Sequence, residues 1–237
     1  MALRTLVIIQ ARVNSTRLPR KVLRTINGLP MIYHVIRRVQ QLGFPIVVAT
    51  PDDPGGPEDD VLTRFCRVAQ AHPTVTRFIR ITGDCPLWDL SIGRQVIDSW
   101  HPKYAYVGTA PEWDGLDTEI FTRDVLFQAN SAIPQEGREH VTRWMCQNRP
   151  ASIRPCSTTY RWSVDDLSGL EFVRSVYAAC PFCANGVEHH TNAFDSIGGS
   201  VRTPIWDLHR LPHGGLEECR AYGILKTRMG GLVYVSP

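Results

Sequence analysis

The sequence predicts an α/β protein. Strand and helix patterns alternate through the first 100 residues, Gly and Pro mark the turns between them, and two of the predicted strands empty into charged loops. That alternation predicts parallel strands joined by crossover helices, with ligand chemistry gathered at the carboxyl edge of the sheet.

Residues 4 to 10 form a strand whose Leu6 to Ile9 are apolar and which leads into Arg12, Arg17, Arg20 and Lys21. A buried strand that opens into several cations, with a helix just beyond, is how an α/β protein grips a polyphosphate. Pro30 opens the helix, Met31, Ile32, Val35, Ile36, Val39 and Leu42 keep helical spacing, and Gly43 ends it as a C-cap. Residues 45 to 50 are the second strand, and Pro51 to Pro57 form a stiff Gly/Pro loop. Glu58, Asp59 and Asp60 fall in the first turn of the next helix, where negative charge suits the dipole. Val61, Leu62, Phe65, Val68 and Ala69 are its buried face. Strand 75 to 81 then runs into Thr82-Gly-Asp-Cys-Pro-Leu87, a second loop at the same edge, which brings a carboxylate to the cations.

The second half is less regular. It holds the stretch Trp113 to Phe121, a helix near 122 to 131, and a helix from Glu136 to Asn148 that carries Glu139 and His140. A strand near 151 to 156 follows, and Leu167, Leu170, Val173 and Tyr177 mark the apolar stripe of a last helix. The tail beyond Cys180 is rich in Gly, Pro and His, and the pattern names no element there.

The 26 Lys and Arg are interspersed with 23 Asp and Glu, giving a net charge of +3. No one-sided basic tract of the kind a nucleic-acid binder carries is present, so any anionic ligand is met locally. No apolar run nears the roughly 20 residues of a membrane span, and the N-terminus lacks a signal-peptide layout. The expectation is a cytoplasmic protein with neither a nucleic acid polymer nor a membrane as partner. Seven scattered cysteines fit reduced thiols better than a disulfide framework.

Nucleotidyl transfer requires cations on a triphosphate, carboxylates for Mg²⁺, and an acceptor oxygen in line with the attacked phosphorus. Arg12 and Arg17 suit forked contacts to phosphate oxygens, and Lys21 suits a point charge on the β or γ group. The bland alternative is a solvated basic loop. Asp84 and Asp165 suit a shared metal, although Asp84 before Cys85-Pro86 is also a natural turn former.

Six motifs then occur in order: Gln10-Ala-Arg-Val-Asn-Ser-Thr-Arg-Leu-Pro-Arg-Lys21, Glu58-Asp-Asp-Val-Leu-Thr-Arg-Phe65, Arg80-Ile-Thr-Gly-Asp-Cys-Pro-Leu87, Gly115-Leu-Asp-Thr-Glu-Ile-Phe121, Arg138-Glu-His-Val-Thr142 and Ser163-Val-Asp-Asp166. Together, across residues 4 to 178, they resemble the cytidylyltransferase family of the spore coat polysaccharide biosynthesis protein F type, which is similar to the CMP-Kdo and CMP-sialate synthetases. The resemblance implies a Rossmann-like nucleotidyltransferase (GT-A-like) mixed sheet flanked by helices over residues 1 to 178. Residues 179 to 237 are then an irregular C-terminal extension packed on the same domain. The activity implied is Mg²⁺-dependent transfer of CMP from CTP to a sugar, sugar acid or related acceptor, with release of pyrophosphate, by a homodimer in surface polysaccharide or glycoconjugate biosynthesis.

Carried over residue by residue, the resemblance places Gln10, Ala11, Arg12, Arg17 and Lys21 on the nucleotide, with Arg80 and Thr82 near base and ribose. Asp84 and Asp165 become the Mg²⁺ carboxylates, and Arg12, Lys21 and Asp84 the catalytic set. Asp117, Glu119, Glu139 and His140 become acceptor contacts, with ordinary helix packing as the alternative for Glu139 and His140.

Three features depart from the pattern. Relatives carry a further helix and strand where only Pro51 to Pro57 stand here, which removes one α/β unit beside the nucleotide pocket. Arg20 stands where relatives often have Gly, a residue that visits positive φ freely. Cys180, Cys183, His189 and His190 offer a superficial zinc set, against which ordinary packing and a polar turn are the better default. The competing functional readings are a GT-A-like glycosyltransferase and a noncatalytic nucleotide-binding protein.

Overall fold

Leu6 to Ile9 are all buried, so the first strand, β1 (Thr5–Gln10), requires apolar cover on both faces and a partner along both edges. The structure, a computed structural model, describes residues 4–12, 15–51, 60–109, 114–154, 162–179, 225–229 and 232–235. After β1 comes a small antiparallel ribbon, β2 (Thr25–Ile26) and β3 (Leu29–Pro30), joined by Asn27 and Gly28, both at positive φ. Helix α1 (Met31–Val39) continues through a single 3-10 turn to Gly43 at φ 76°, the expected C-cap. Next come β4 (Ile46–Ala49), α2 (Val61–Ala71), β5 (Arg77–Thr82) and α3 (Leu90–Asp98). The chain proceeds through β6 (Tyr106–Thr109), β7 (Glu119–Thr122), α4 (Arg123–Ala132), α5 (Arg143–Asn148) and β8 (Ala151–Arg154) to α6 (Leu167–Ala179). Strands β9 (Leu225–Met229) and β10 (Leu232–Val235) come from the stretch beyond residue 179.

One eight-stranded sheet runs β8-β6-β7-β5-β1-β4-β10-β9. Its centre is parallel, β1 pairing with β4 and β5. Strand β7 inserts antiparallel between β5 and β6, and β10 pairs antiparallel with β4. The sheet is therefore mixed, a parallel core with antiparallel additions on either side.

Period-two alternation divides the core. Val7, Ile9, Val48 and Ile79 face α1 and α3, while Leu6, Ile8, Val47 and Phe78 face α2, α4 and α5. Full burial of each such side chain contributes about 1.5–3 kcal/mol. A third cluster joins Leu18 and Ile26 to Trp162, Val164 and the inner side of α6, and it fastens the loops at the sheet's carboxyl edge.

Three expectations are corrected. Asp60 is the N-cap of α2 and not part of its first turn, its carboxylate accepting from the Thr63 N–H at 3.0 Å and the Thr63 hydroxyl at 2.7 Å. Glu58 and Asp59 lie outside the described residues. The helix foreseen from Glu136 to Asn148 reduces to one 3-10 turn (Gln135–Gly137) and the short α5. The Arg138 carbonyl, which a helix would offer to residue 142, instead accepts the Leu62 N–H at 3.0 Å, so Glu139 and His140 lie on a loop. Leu167 is 61% exposed, and the packed stripe of α6 is Leu170, Val173, Val176 and Tyr177.

His34 on α1 gives the fold an acid-sensitive point. It is buried against the Tyr177 ring and donates from Nε2 to the Ile26 carbonyl at 2.8 Å. Burial lowers its pKa from 6.5 to about 4, the hydrogen bond to Ile26 opposing the fall and the charge of Arg38 adding to it. Because the unfolded chain takes up this proton more readily, the contribution is complete above pH 6.5 and lost as pH falls toward 4. Its size is up to about 3 kcal/mol. Urea unfolding at pH 7 and pH 4.5 checks this: His34→Gln should lose distinctly less stability between the two pH values than the unaltered protein.

Candidate active site

The site is assembled from four loops at the carboxyl ends of the parallel strands. Gln10 and Thr82 are register partners at the ends of β1 and β5, so the loops that follow them start side by side. Gly83 donates its N–H to the Gln10 carbonyl at 2.8 Å, and a Cβ at Gly83 would lie 3.0 Å from that oxygen. Trp162 donates its N–H to the Asp114 carbonyl at 2.7 Å, and Val164 donates to the Asp84 carbonyl at 2.9 Å. Gly115 sits at φ 93°, where a Cβ would meet the Ser163 nitrogen at 2.2 Å. Only a glycine lets these two loops approach so closely.

Lys21 is the centre. It is buried at the start of a 3-10 turn, and its Nζ donates to Asp84 Oδ2 at 2.7 Å and to Asp165 Oδ1 at 3.3 Å. Arg17 Nη2 lies 3.0 Å from the same Asp165 oxygen, and Arg12 Nη1 lies 3.2 Å from Glu139 Oε1. Arg20, immediately before Lys21, holds φ 56° and ψ 34°. The position does require a left-handed backbone, which costs an ordinary side chain about 1–2 kcal/mol. Burial would push the Asp84 carboxyl up, but the charge and hydrogen bond of Lys21 outweigh it and hold the group below the usual carboxylate range.

Asp84 and Asp165 also make the best-placed pair for a divalent cation. Their oxygens come from separate loops and converge on one ammonium, so they already share a cation-sized position. Two hard carboxylate donors, with the remaining positions left to phosphate oxygens and water, match the way Mg²⁺ is held beside nucleotides. Among the described residues no group of three or more His, Cys, Asp and Glu is placed to hold a metal ion. Cys180, Cys183, His189 and His190 lie outside the described residues.

A second polar chain crosses the sheet beside the first. Arg80 and Glu119 are register partners on β5 and β7, and Arg80 donates from Nη1 to Glu119 Oε2 and from Nε to Gln10 Oε1 at 2.9 Å. Glu119 Oε1 accepts from the Tyr106 hydroxyl at 2.7 Å and the Thr142 hydroxyl at 2.6 Å. Both carboxylate oxygens are thus used within the protein. The Thr82 hydroxyl meets the Cys85 thiol at 2.8 Å. Asp117 accepts the Gly115 N–H at 3.1 Å, and burial raises its carboxyl pKa to about 6; Glu119 and Asp114 add to the rise, while the Gly115 hydrogen bond and Arg80 moderate it. His140 is exposed.

The structure therefore joins Lys21, Arg17, Asp84 and Asp165 in one group, Gln10, Arg80 and Glu119 in another, and Arg12 with Glu139 in a third. Tyr106, Thr142 and Arg138 escaped the sequence reading. Arg138 ties its loop to Asp60 at 2.8 Å, to Thr63 at 2.8 Å and to Asn130, immediately before Glu139. Its place at the head of the Arg138-Glu-His-Val-Thr142 motif was the available signal. Tyr106, in a segment to which the sequence pattern gave no element, offered none.

A cytidylyltransferase family model matches residues 6–54. The chain is 30% identical over 210 residues to the spore coat polysaccharide biosynthesis protein SpsF of Bacillus subtilis, which covers 73% of this chain and 85% of that protein. It is 33% identical over 144 residues to a 3-deoxy-manno-octulosonate cytidylyltransferase of Glaesserella parasuis, covering 52% of this chain and 53% of that one. Among solved structures it resembles a cytidylyltransferase from Leptospira borgpetersenii, with a TM-score of 0.68, 22% identity, and coverage of 74% of this chain and 87% of the other. It also resembles CMP:2-keto-3-deoxy-manno-octonic acid synthetase complexed with CTP, with a TM-score of 0.56, 23% identity, and coverage of 74% and 98%. At these identities the solved structures show a shared fold.

Glu119→Gln separates scaffolding from ligand contact at this residue. The variant leaves Arg80 mostly buried without its counter-charge, so the expected loss is about 3 kcal/mol of unfolding free energy. Denaturant unfolding without any ligand measures it, and an unchanged midpoint would remove Glu119 from the scaffold.

Proposed function

Because the chain belongs to the cytidylyltransferase family, we propose that it transfers CMP from CTP to a sugar, sugar acid or related acceptor in surface polysaccharide or glycoconjugate assembly, releasing pyrophosphate. The observation that carries this reading is the convergence of Lys21, Arg17, Asp84 and Asp165 at the carboxyl edge of β1 and β5. Arg12, Arg17 and Lys21 bind the triphosphate, with Gln10 and Ala11 also on the nucleotide and Arg80 and Thr82 toward base and ribose. Asp84 and Asp165 hold Mg²⁺, which when bound neutralises phosphate charge and orients the leaving pyrophosphate. Asp117, Glu139 and His140 border the acceptor. Asp117, with its carboxyl pKa near 6, is suited to receive the acceptor hydroxyl proton close to neutral pH.

The same reading assigns the nucleotidyltransferase unit to residues 1 to 178, to whose sheet the C-terminal extension adds β10 and β9, and it takes the enzyme as a cytoplasmic homodimer. Among the described residues no helix is long and apolar enough to cross a membrane.

A panel of nucleoside triphosphates with 3-deoxy-manno-octulosonate and other sugar acids, read by pyrophosphate release, tests the activity. Turnover with CTP supports it. Release of a nucleoside diphosphate from a sugar nucleotide points instead to a glycosyltransferase, and CTP binding without turnover on any acceptor points to a binding protein. Asp84→Asn should lower kcat/KM at least about 100-fold, while the melting temperature falls only a few degrees, roughly 5 °C or less. Equal turnover in that variant would remove Asp84 from the mechanism.

A further inference from the structure

The three loop cations that a triphosphate would engage are each held by a carboxylate of the protein itself. Arg12 meets Glu139, Arg17 meets Asp165, and Lys21 meets both Asp84 and Asp165. Lys21 and Arg17 together set two positive charges against the two carboxylates best placed for a metal. Lys21 is also buried with only a tenth of its side chain exposed, so it stays close to those oxygens unless another anion replaces them.

We propose that Lys21 acts as the resident counter-ion of the Asp84–Asp165 pair, so that the protein takes up a divalent cation only together with a nucleotide whose triphosphate draws Lys21 away. This rests on the nucleotide reading of the site. The charge arithmetic carries it. A divalent cation entering alone would share two carboxylates with an ammonium and a guanidinium already neutralising them, and like charges at this separation repel strongly in a partly buried site. A triphosphate brings more negative charge than the metal brings positive. It offers Lys21, Arg17 and Arg12 phosphate oxygens in place of the carboxylates, and thereby opens Asp84 and Asp165 to the metal. Metal and nucleotide are then coupled through one ammonium, and the coupling is reciprocal: each tightens the other by the same factor.

Lys21 is thus a positioning residue for the metal carboxylates before it is a phosphate ligand. In the ligand-free protein it also keeps two neighbouring carboxylates paired in one geometry.

The test is Mn²⁺ binding to the full chain, followed by water-proton relaxation, which separates protein-bound ion from free ion and from ion on nucleotide alone. Without nucleotide the unaltered protein should bind Mn²⁺ weakly, and CTP without acceptor should tighten binding roughly tenfold or more. Lys21→Met keeps the apolar stem and removes the charge, so nucleotide-free Mn²⁺ binding should tighten roughly tenfold while CTP binding weakens. Adding Asp84→Asn to Lys21→Met should abolish the gain, which locates it. If Lys21→Met fails to fold, Arg17→Met decides instead: its side chain is 61% exposed, and it should tighten nucleotide-free Mn²⁺ binding by roughly threefold. Equal Mn²⁺ affinity in the unaltered protein and in a folded Lys21→Met, or in Arg17→Met where that variant decides, overturns the proposal. Calorimetry with CTP keeps the two ideas apart. CTP binding with Mn²⁺ affinity indifferent to Lys21 sinks only the counter-ion role, whereas absent CTP binding with tighter Mn²⁺ in Lys21→Met sinks the nucleotide reading and leaves Lys21 as counter-ion.

Discussion

One ammonium between two carboxylates from different loops sets the geometry on which the rest of the edge depends. Asp84 follows β5, Asp165 precedes α6, and Lys21 follows β1, so three segments far apart in sequence are held at distances of 2.7 and 3.3 Å around one charge. The backbone bonds from Trp162 to Asp114 and from Val164 to Asp84 do the remaining positioning. Buried pairs of this kind add little net stability, because desolvation offsets most of the attraction. Their effect is to exclude other arrangements, since any loop shift that parts the charges leaves one of them uncompensated.

The Arg80 and Glu119 pair applies the same rule on the neighbouring strands, with an opposite consequence for function. Lys21 is held only by groups that a ligand can replace. Glu119 is held by Arg80, Tyr106 and Thr142 at once, and two of those contacts come from the strands on either side of β7. To reach a substrate, Glu119 would have to give up three partners inside the protein, each loss costing about 1–3 kcal/mol. Within the fold it supports Arg80 and links β7 to the strands on either side.

The sequence revealed most where a local signal decides the outcome. The apolar runs of β1 and β4, the 3.6-residue spacing of α1 and α2, and Gly43 as a C-cap are short-range features; the strands stand within a residue of their expected place and the helix ends within about three. The loop chemistry was legible for a similar reason: a strand end fixes where Lys21 and Asp84 emerge, and the parallel register of β1 and β5 brings them together. What depends on distant partners was not legible. The stretch around Glu139 carries no internal sign that the Arg138 carbonyl goes to Leu62 and not to its own helix. The β2–β3 ribbon was likewise not foreseen, its strands being only two residues each. Arg20 lies between these cases, because its mismatch with a glycine position was visible and its φ of 56° was not.

The link between β4 and α2 raises a question of edges. All four residues of β4 are buried, and a buried strand with one open side would leave a row of backbone donors and acceptors unpaired. The link is too short for the helix and strand that the resemblance implies there, so a parallel neighbour cannot come from it. Strand β10 takes the place instead, pairing antiparallel through Leu232 with Ala49, Val233 with Val48 and Tyr234 with Val47. An antiparallel ladder needs no crossover helix, so the constraint is met by a hairpin from the far end of the chain. Since β4 also accepts the Ala11 N–H at its Ala49 carbonyl, the support given by β10 passes directly to the start of the basic loop. Strand β10 therefore covers β4, and the β1 edge that presents Arg12, Arg17 and Lys21 keeps its backing.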